Sequence, residues 1–134
     1  MCIFCEIIKG NIPAKVIYED DAHLGILDLS QTTKGHCLMM PKQHYENLTM
    51  IPAIELAQMI VRVQEVATRV MHNTGAKGFN LLVNNGEAAG QTIEHLHFHI
   101  IPRYDENDTI EINFQENDFD LDEIKALVNT KGKR

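Results

Sequence analysis

The chain has 134 residues, 44% of them hydrophobic, which suits one ordinary core and is too little for two, so a single domain over residues 1–134 is expected. Nineteen acidic against twelve basic side chains leave a formal charge of −7, which disfavours nucleic acid as a partner because polyanions are repelled at long range. No run approaches the roughly 20 apolar residues of a membrane span, the N-terminus lacks a basic-then-apolar export signal, and three cysteines in that setting argue against a disulfide framework. A cytoplasmic protein without a membrane partner is the expectation, although a small anionic ligand remains open, since backbone N–H groups, histidines and a metal can bind one at little charge cost.

In chain order, Ile3, Phe4, Ile7 and Ile8 recur at helical spacing until Gly10 and Pro13 stop them, which predicts a short opening helix. Val16 to Glu19 and Leu24 to Leu27 read as a hairpin about Asp20-Asp21, and a third strand, Cys37 to Met40, ends at Pro41. Leu56, Met59, Ile60, Val63, Ala67, Val70 and Met71 fall at steps of three and four opposite Arg62, Glu65 and Arg69. This predicts a long helix packed on a sheet and closed by Gly75. Phe79 to Val83 reads as a strand, Asn84 to Thr92 as a Gly/Asn-rich loop, and Glu94 to Ile101 as a last strand ended by Pro102. After an acidic, weakly patterned stretch from Asp105 to Asp120, Leu121 to Val128 suits a closing helix. The pattern predicts an α+β fold: an antiparallel sheet of about five strands, one long helix and short terminal helices.

His95, His97 and His99 alternate with Leu96, Phe98 and Ile100, so a strand here sends three imidazoles to one face and three apolar groups into the core. Near neutral pH imidazole is largely uncharged and nucleophilic, so one strand can hold an attacking group and its helper. A bare His-x-His-x-His could instead hold a metal. The preceding loop, ending Gly90-Gln91-Thr92, favours phosphate chemistry because such loops can aim N–H groups and short polar side chains at phosphate oxygens. Cys2-x-x-Cys5 suits zinc, a redox couple or neither, but the βαβ context of a thioredoxin-like pair is missing. Cys37 reads as a core thiol, His23 and His72 as surface residues, and Met39, Met40, Met50, Met59 and Met71 as packing.

Gly90-Gln91-Thr92 followed by HLHFHII resembles the signature of the histidine triad family. The resemblance extends to IFCEII, IPAKVIYEDD, LDLS, KGHCLMMPKQH and VNNGEAAGQT, a motif-bearing core from about residue 2 to 104 with a tail from 105 to 134. It implies a hydrolase or transferase acting at the α-phosphate of purine nucleotide conjugates through a nucleotidyl-histidine on His97. His99, Gln91, Thr92 and His36 would stand around the phosphate or leaving group. It places Asp28 at the ribose hydroxyls, Asn84 at the phosphate side, and Ile3, Phe4, Ile7 and Ile26 at the base, though the last four could equally be core. A Hint-like branch with structural zinc on Cys2, Cys5, His44 and His95 is implied, as is a homodimer. The leaving group stays open among phosphoramidates, acyl-adenylates and dinucleoside polyphosphates. Two rivals are a nucleotide-binding regulatory module with little turnover and a DNA-end deadenylating enzyme; the intact triad opposes the first, and the acidic balance opposes the second.

Overall fold

The structure is a computed structural model that describes residues 1–130; the last four residues of the expected tail lie outside it. Helix α1, Ile3–Ile8, begins where the Cys2 thiol accepts the Cys5 N–H at 3.3 Å, and it buries Phe4. Strands β1 (Val16–Glu19), β2 (His23–Leu27) and β3 (Cys37–Pro41) form a meander, followed by α2 (Ala53–Thr74), β4 (Gly78–Leu82), β5 (Phe98–Arg103) and α3 (Leu121–Val128). The sheet is antiparallel throughout, ordered β1-β2-β3-β5-β4, so the histidine-bearing strand is internal.

Alternation along the strands divides the core in two. Cys37 and Met39 of β3 with Phe98 and Ile100 of β5 meet Met59, Val63, Val66 and Ala67 of α2. On the other face Leu24, Ile26, Leu38 and Met40 pack beneath Phe4. Gly25 lets β2 and β3 close up, because a Cβ there would stand 2.6 Å from the Met39 sulfur. Gly75 ends α2 in the left-handed conformation at φ 75°, its N–H bonded to Met71 O as the sequence suggested.

Several expectations need correction. The last strand begins at Phe98 rather than Glu94, because β3 pairs only as far as Phe98 and the backbone before it turns away, with Leu96 N–H bonded to Tyr45 O. Pro102 does not end the strand; it pairs with Phe79, and its carbonyl accepts the Thr33 hydroxyl at 2.6 Å. A residue's N and O point to the same side of a strand, so the missing Pro102 N–H falls on the flank where β3 has stopped and costs no ladder bond. His23 is buried, its ring held 3.0 Å from both Asp20 carboxylate oxygens, which also take the Ala22 and His23 N–H groups and close the hairpin turn. Met50 and Ile60 are exposed rather than packed, while Val66, absent from the predicted stripe, is buried. No helix among the described residues is long and apolar enough to cross a membrane.

Candidate active site

The segment from Ile93 to His99 delivers three histidines to two adjoining clusters. His95 is fully buried and leans toward the N-terminus, where its Nδ1 lies 3.4 Å from Cys2 Sγ, 3.6 Å from Cys5 Sγ and 3.2 Å from His44 Nδ1. Cys5 Sγ stands 3.4 Å from His44 Nδ1, and one donor atom from each of the four residues lies within 4.8 Å of every other. The opposite nitrogen of His95 is 2.8 Å from Pro41 O, which can only accept, so Nε2 carries the proton and Nδ1 presents its lone pair to the sulfurs. A carbonyl that accepts from one ring nitrogen in this way fixes the ring and leaves the other nitrogen free to bind a metal.

His97 is buried with its Nδ1 2.7 Å from His95 O. The same logic puts the proton on Nδ1 and leaves Nε2 as a lone pair with no hydrogen-bond partner among the described residues. The Phe4 ring packs edge-on against it, centroids 5.0 Å apart. His99 follows on β5, its ring 5.1 Å from that of His97 and its Nδ1 2.9 Å from His36 Nε2. His36 Nδ1 accepts the Thr32 N–H at 3.2 Å, so neutral His36 is protonated at Nε2 and donates to His99 Nδ1. Neutral His99 must then carry its proton on Nε2, a donor not used by His36. Asp28 closes the cluster: one oxygen takes the Ser30 N–H, and the other is 3.5 Å from His36 Nε2 and 4.0 Å from His99 Nδ1.

Burial lowers the pKa of His36, His95 and His97 from the ordinary histidine value, and burial with the neighbouring His97 and His36 takes His99 to about 4. The triad is therefore neutral at pH 7, so the tautomers above are those that a ligand meets.

Of the other sequence candidates, Phe4, Ile7 and Ile26 gather in the cluster beneath α1, whereas Ile3 stands apart and 42% exposed. Gln91 is spent within the loop: Oε1 accepts the Gly86 N–H at 2.8 Å, and Nε2 donates to Glu46 O and Ile93 O. The N–H groups of Ala89, Gly90 and Gln91 also bond inside the loop, so with that of Gly86 they hold its shape and are not aimed outward, contrary to the expected N–H cradle. Thr92 is exposed between two open clefts. One, of about 520 Å³, is lined by Cys2, Ile3 and His44, and the other, of about 370 Å³, by Gly86, Glu46 and Glu94; neither includes Asp28, His36 or His99. Asn84 approaches Gly90.

A family model described as the HIT domain matches residues 9–106, the span that holds both clusters except for the cysteine pair. The chain belongs to the HIT domain family. The chain is 36% identical over 126 residues to the adenosine 5'-monophosphoramidase of Schizosaccharomyces pombe, covering 94% of this chain and 92% of that one. The crystal structure of a HIT family member from Bacillus subtilis superposes with a TM-score of 0.90 at 37% identity, covering 98% of this chain and 99% of the other. A zinc-bound histidine triad protein from Mycobacterium smegmatis is 40% identical with a TM-score of 0.77, covering 81% of this chain and 79% of that one.

Sequence reasoning missed two residues that shape this HIT domain. Asn85 takes the Leu48 N–H at 2.7 Å and ties the Gly-rich loop to the turn before α2. Thr32 fixes the His36 tautomer through its backbone N–H, which leaves no trace in the sequence. The Asn-Asn-Gly run, whose side-chain amides suit hydrogen bonds to loop backbone, was the available signal for Asn85.

Proposed function

We propose that this HIT domain hydrolyses or transfers a nucleoside monophosphate, with His97 as nucleophile toward the α-phosphorus of a purine nucleotide conjugate. The observation that carries the reading is the 2.7 Å contact between His97 Nδ1 and His95 O. It directs the Nε2 lone pair outward and steadies the positive charge that the ring gains on attack. Nε2 bonds to phosphorus as the bond to the leaving group breaks. Water then displaces the imidazole, so that one water proton ends on the departed group and the hydroxyl on the nucleotide.

His99, protonated on Nε2 by the His36 arrangement, supplies a hydrogen bond to the phosphate or the leaving atom. Asp28 takes the ribose hydroxyls, Phe4, Ile7 and Ile26 flank the base, and Asn84 and Thr92 border the phosphate; Gln91 acts by shaping the loop. The phosphoramidase activity named for the fission yeast relative supports a phosphoramidate among the substrates. The test is a panel of phosphoramidate, acyl-adenylate and diadenosine polyphosphate, with phosphoramidate turnover expected to be measurable. No turnover of any of them would favour the regulatory nucleotide-binding module.

The pH dependence follows from burial. A protonated His97 has no lone pair, and its pKa lies below the ordinary 6.5. Activity should therefore be flat through neutrality and fall only as pH drops below that lowered value. A kcat/KM profile with its acid midpoint at or above 6.5 would contradict the neutral nucleophile.

Zinc is proposed on Cys2, Cys5, His44 and His95, which fit it. With Zn–S near 2.3 Å and Zn–N near 2.0–2.1 Å, a tetrahedron has edges of roughly 3.3 Å between nitrogens and 3.6 Å between nitrogen and sulfur. The observed 3.2, 3.4, 3.4 and 3.6 Å match those edges. Four protein ligands would leave no open position on a bound zinc, so these residues would hold it as a tie between α1 and the segment entering β5, and the zinc-bound M. smegmatis relative supports the assignment.

A homodimer is proposed through β4 and α2. β4 is an edge strand, and Phe79 and Leu81 sit opposite Pro102 and Ile100, with Ile100 facing α2. These two and Ile54, Ile60 and Val61 of α2 are exposed, an unusual amount of large apolar surface for a lone chain. Light scattering at micromolar concentration should give twice the monomer mass, and Leu81→Glu should reduce it to one. A monomeric wild type would refute the interface.

A further inference from the structure

We infer that Gln31 is a positioning residue for the histidines of the site: its side chain and backbone hold the Asp28–His36 loop in the shape that keeps the His99 proton on Nε2. The inference rests on the hydrogen bond proposed above for His99 and names what sets it. The loop joins β2 to β3 and brings Asp28 and His36 together just beyond the paired ends Leu27 and Cys37, where the Asp28 N–H donates to His36 O at 3.0 Å.

Gln31 is exposed, yet its side chain is spent on the loop's own backbone. Its Nε2 donates to Asp28 O at 2.5 Å and to His36 O at 2.7 Å, and its Oε1 accepts the Gly35 N–H at 2.9 Å. Carbonyls only accept and a backbone N–H only donates, so the three partners leave the amide one orientation. The backbone of Gln31 is equally constrained. It has φ 28°, and every other positive φ among the described residues belongs to a glycine. A residue with a Cβ is disfavoured there, so the surroundings must impose the conformation, and outliers of this kind gather at functional sites.

That conformation decides what His36 meets. Gln31 precedes Thr32, so its dihedral angles orient the Thr32 N–H, which donates to His36 Nδ1 at 3.2 Å. The Thr33 hydroxyl on Pro102 O and the Thr109 hydroxyl on Thr32 O tie the loop elsewhere and do not touch the Gln31–Thr32 peptide. Asp28, whose carbonyl Gln31 holds, keeps a carboxylate oxygen 3.5 Å from His36 Nε2, which favours a proton on that nitrogen. Both influences place the His36 proton on Nε2, and the 2.9 Å contact with His99 Nδ1 then places the His99 proton on its own Nε2. Without the Gln31 amide the Thr32 N–H and the Asp28 carboxylate lose their fixed places, and His36 can carry its proton on Nδ1. The two rings then flip as a unit, each keeping one proton by exchange with solvent. His36 Nε2 accepts from His99 Nδ1, and His99 meets the phosphate with a lone pair where a donor is needed.

The test uses the full chain as wild type, Gln31→Gly, His99→Ala and the double variant. Glycine keeps φ 28° accessible and removes the amide, so the fold should hold. With 15N-labelled histidines and no nucleotide at pH 7, the ring shifts of wild type should show N–H at Nε2 of His99 and a bare Nδ1, and those of Gln31→Gly a mixture of both tautomers. At a temperature where all four proteins are folded, Gln31→Gly should lower kcat for a phosphoramidate about tenfold, and in the His99→Ala background it should cost less than about twofold. A loop staple with no hold on His99 would lower Tm and move neither ring shifts nor kcat. Unchanged ring shifts in Gln31→Gly, or a kcat loss that persists in full without His99, overturns the inference and leaves the His99 donor standing. Wild-type kcat in His99→Ala refutes that donor instead, and the ring shifts still decide the role of Gln31.

Discussion

His97→Ala should bind AMP within a few-fold of the wild-type affinity and turn over substrate at least about 10³-fold more slowly, because the substitution removes the attacking atom and leaves the ligand contacts in place. The proposed contacts of the nucleoside come from Asp28 and from Phe4, Ile7 and Ile26, none of which depends on the imidazole for its position along the chain. The few-fold allowance comes from Phe4, which packs edge-on against the His97 ring and loses part of its support. His99→Ala should be milder, since it removes a hydrogen-bond donor and retains the nucleophile. His36→Ala should resemble it, since the Nε2 proton of His99 depends on the bond from His36. Rapid quench with labelled substrate should place the adduct in the tryptic peptide running from Gly78 to Arg103, and fragmentation must assign it among His95, His97 and His99. Near-normal turnover by a folded His97→Ala protein would falsify the nucleophile assignment and the covalent route together.

The parts of this molecule legible in sequence are those fixed by local periodicity. The α2 stripe, the Gly75 cap and the alternation of Leu96, Phe98 and Ile100 each follow from a repeat that a backbone imposes on itself; the structure shows the cap and the alternation, and of the stripe it packs Leu56, Met59, Val63, Ala67 and Val70 against the core. The parts that were not legible depend on distant partners. Pro102 stays in β5 because β3 has already ended on that flank, and no local rule reports where a neighbouring strand stops. His95 and His97 leave the ladder because the Tyr45 carbonyl captures Leu96 N–H and the Cys2, Cys5 and His44 group draws His95 toward the N-terminus. His23 is a nearer miss: an Asp three residues before a His at a hairpin turn is a local signal for the carboxylate-ring contact that buries it. The exposed Ile60 and Val61 show the other limit, since helical periodicity marks a residue as apolar without saying whether its own body or another chain covers it.

The proposed zinc site of Cys2, Cys5, His44 and His95 should matter to stability more than to chemistry. Protein prepared without chelator should contain one zinc per chain, and Cys5→Ala or exhaustive chelation should lower stability by about 3 kcal/mol, roughly 10 °C in Tm for a domain of this size. The reason is what the four residues join: Cys2 caps α1 and Cys5 lies in its first turn, His44 belongs to the segment after β3, and His95 to the segment entering β5. Phe4 still packs on the His95 and His97 rings and Leu96 N–H still bonds to Tyr45 O, but among the described residues no polar contact besides the cluster joins Cys2 and Cys5 to the segment entering β5, so removing the metal loosens the N-terminus there. Burial and the adjacent Cys2 thiol raise the Cys5 pKa, so without a cation the Cys5 sulfur tends to keep its proton and the cluster loses part of its attraction. Chemistry should suffer less than stability, because the His97 tautomer is set by a backbone carbonyl and not by the metal. At a temperature where Cys5→Ala is still folded, its kcat should stay within about tenfold of wild type. Elemental analysis near zero in protein with all four ligands intact would sink the site. A Cys5→Ala protein with unchanged Tm would show that zinc, even if bound, does not fasten α1.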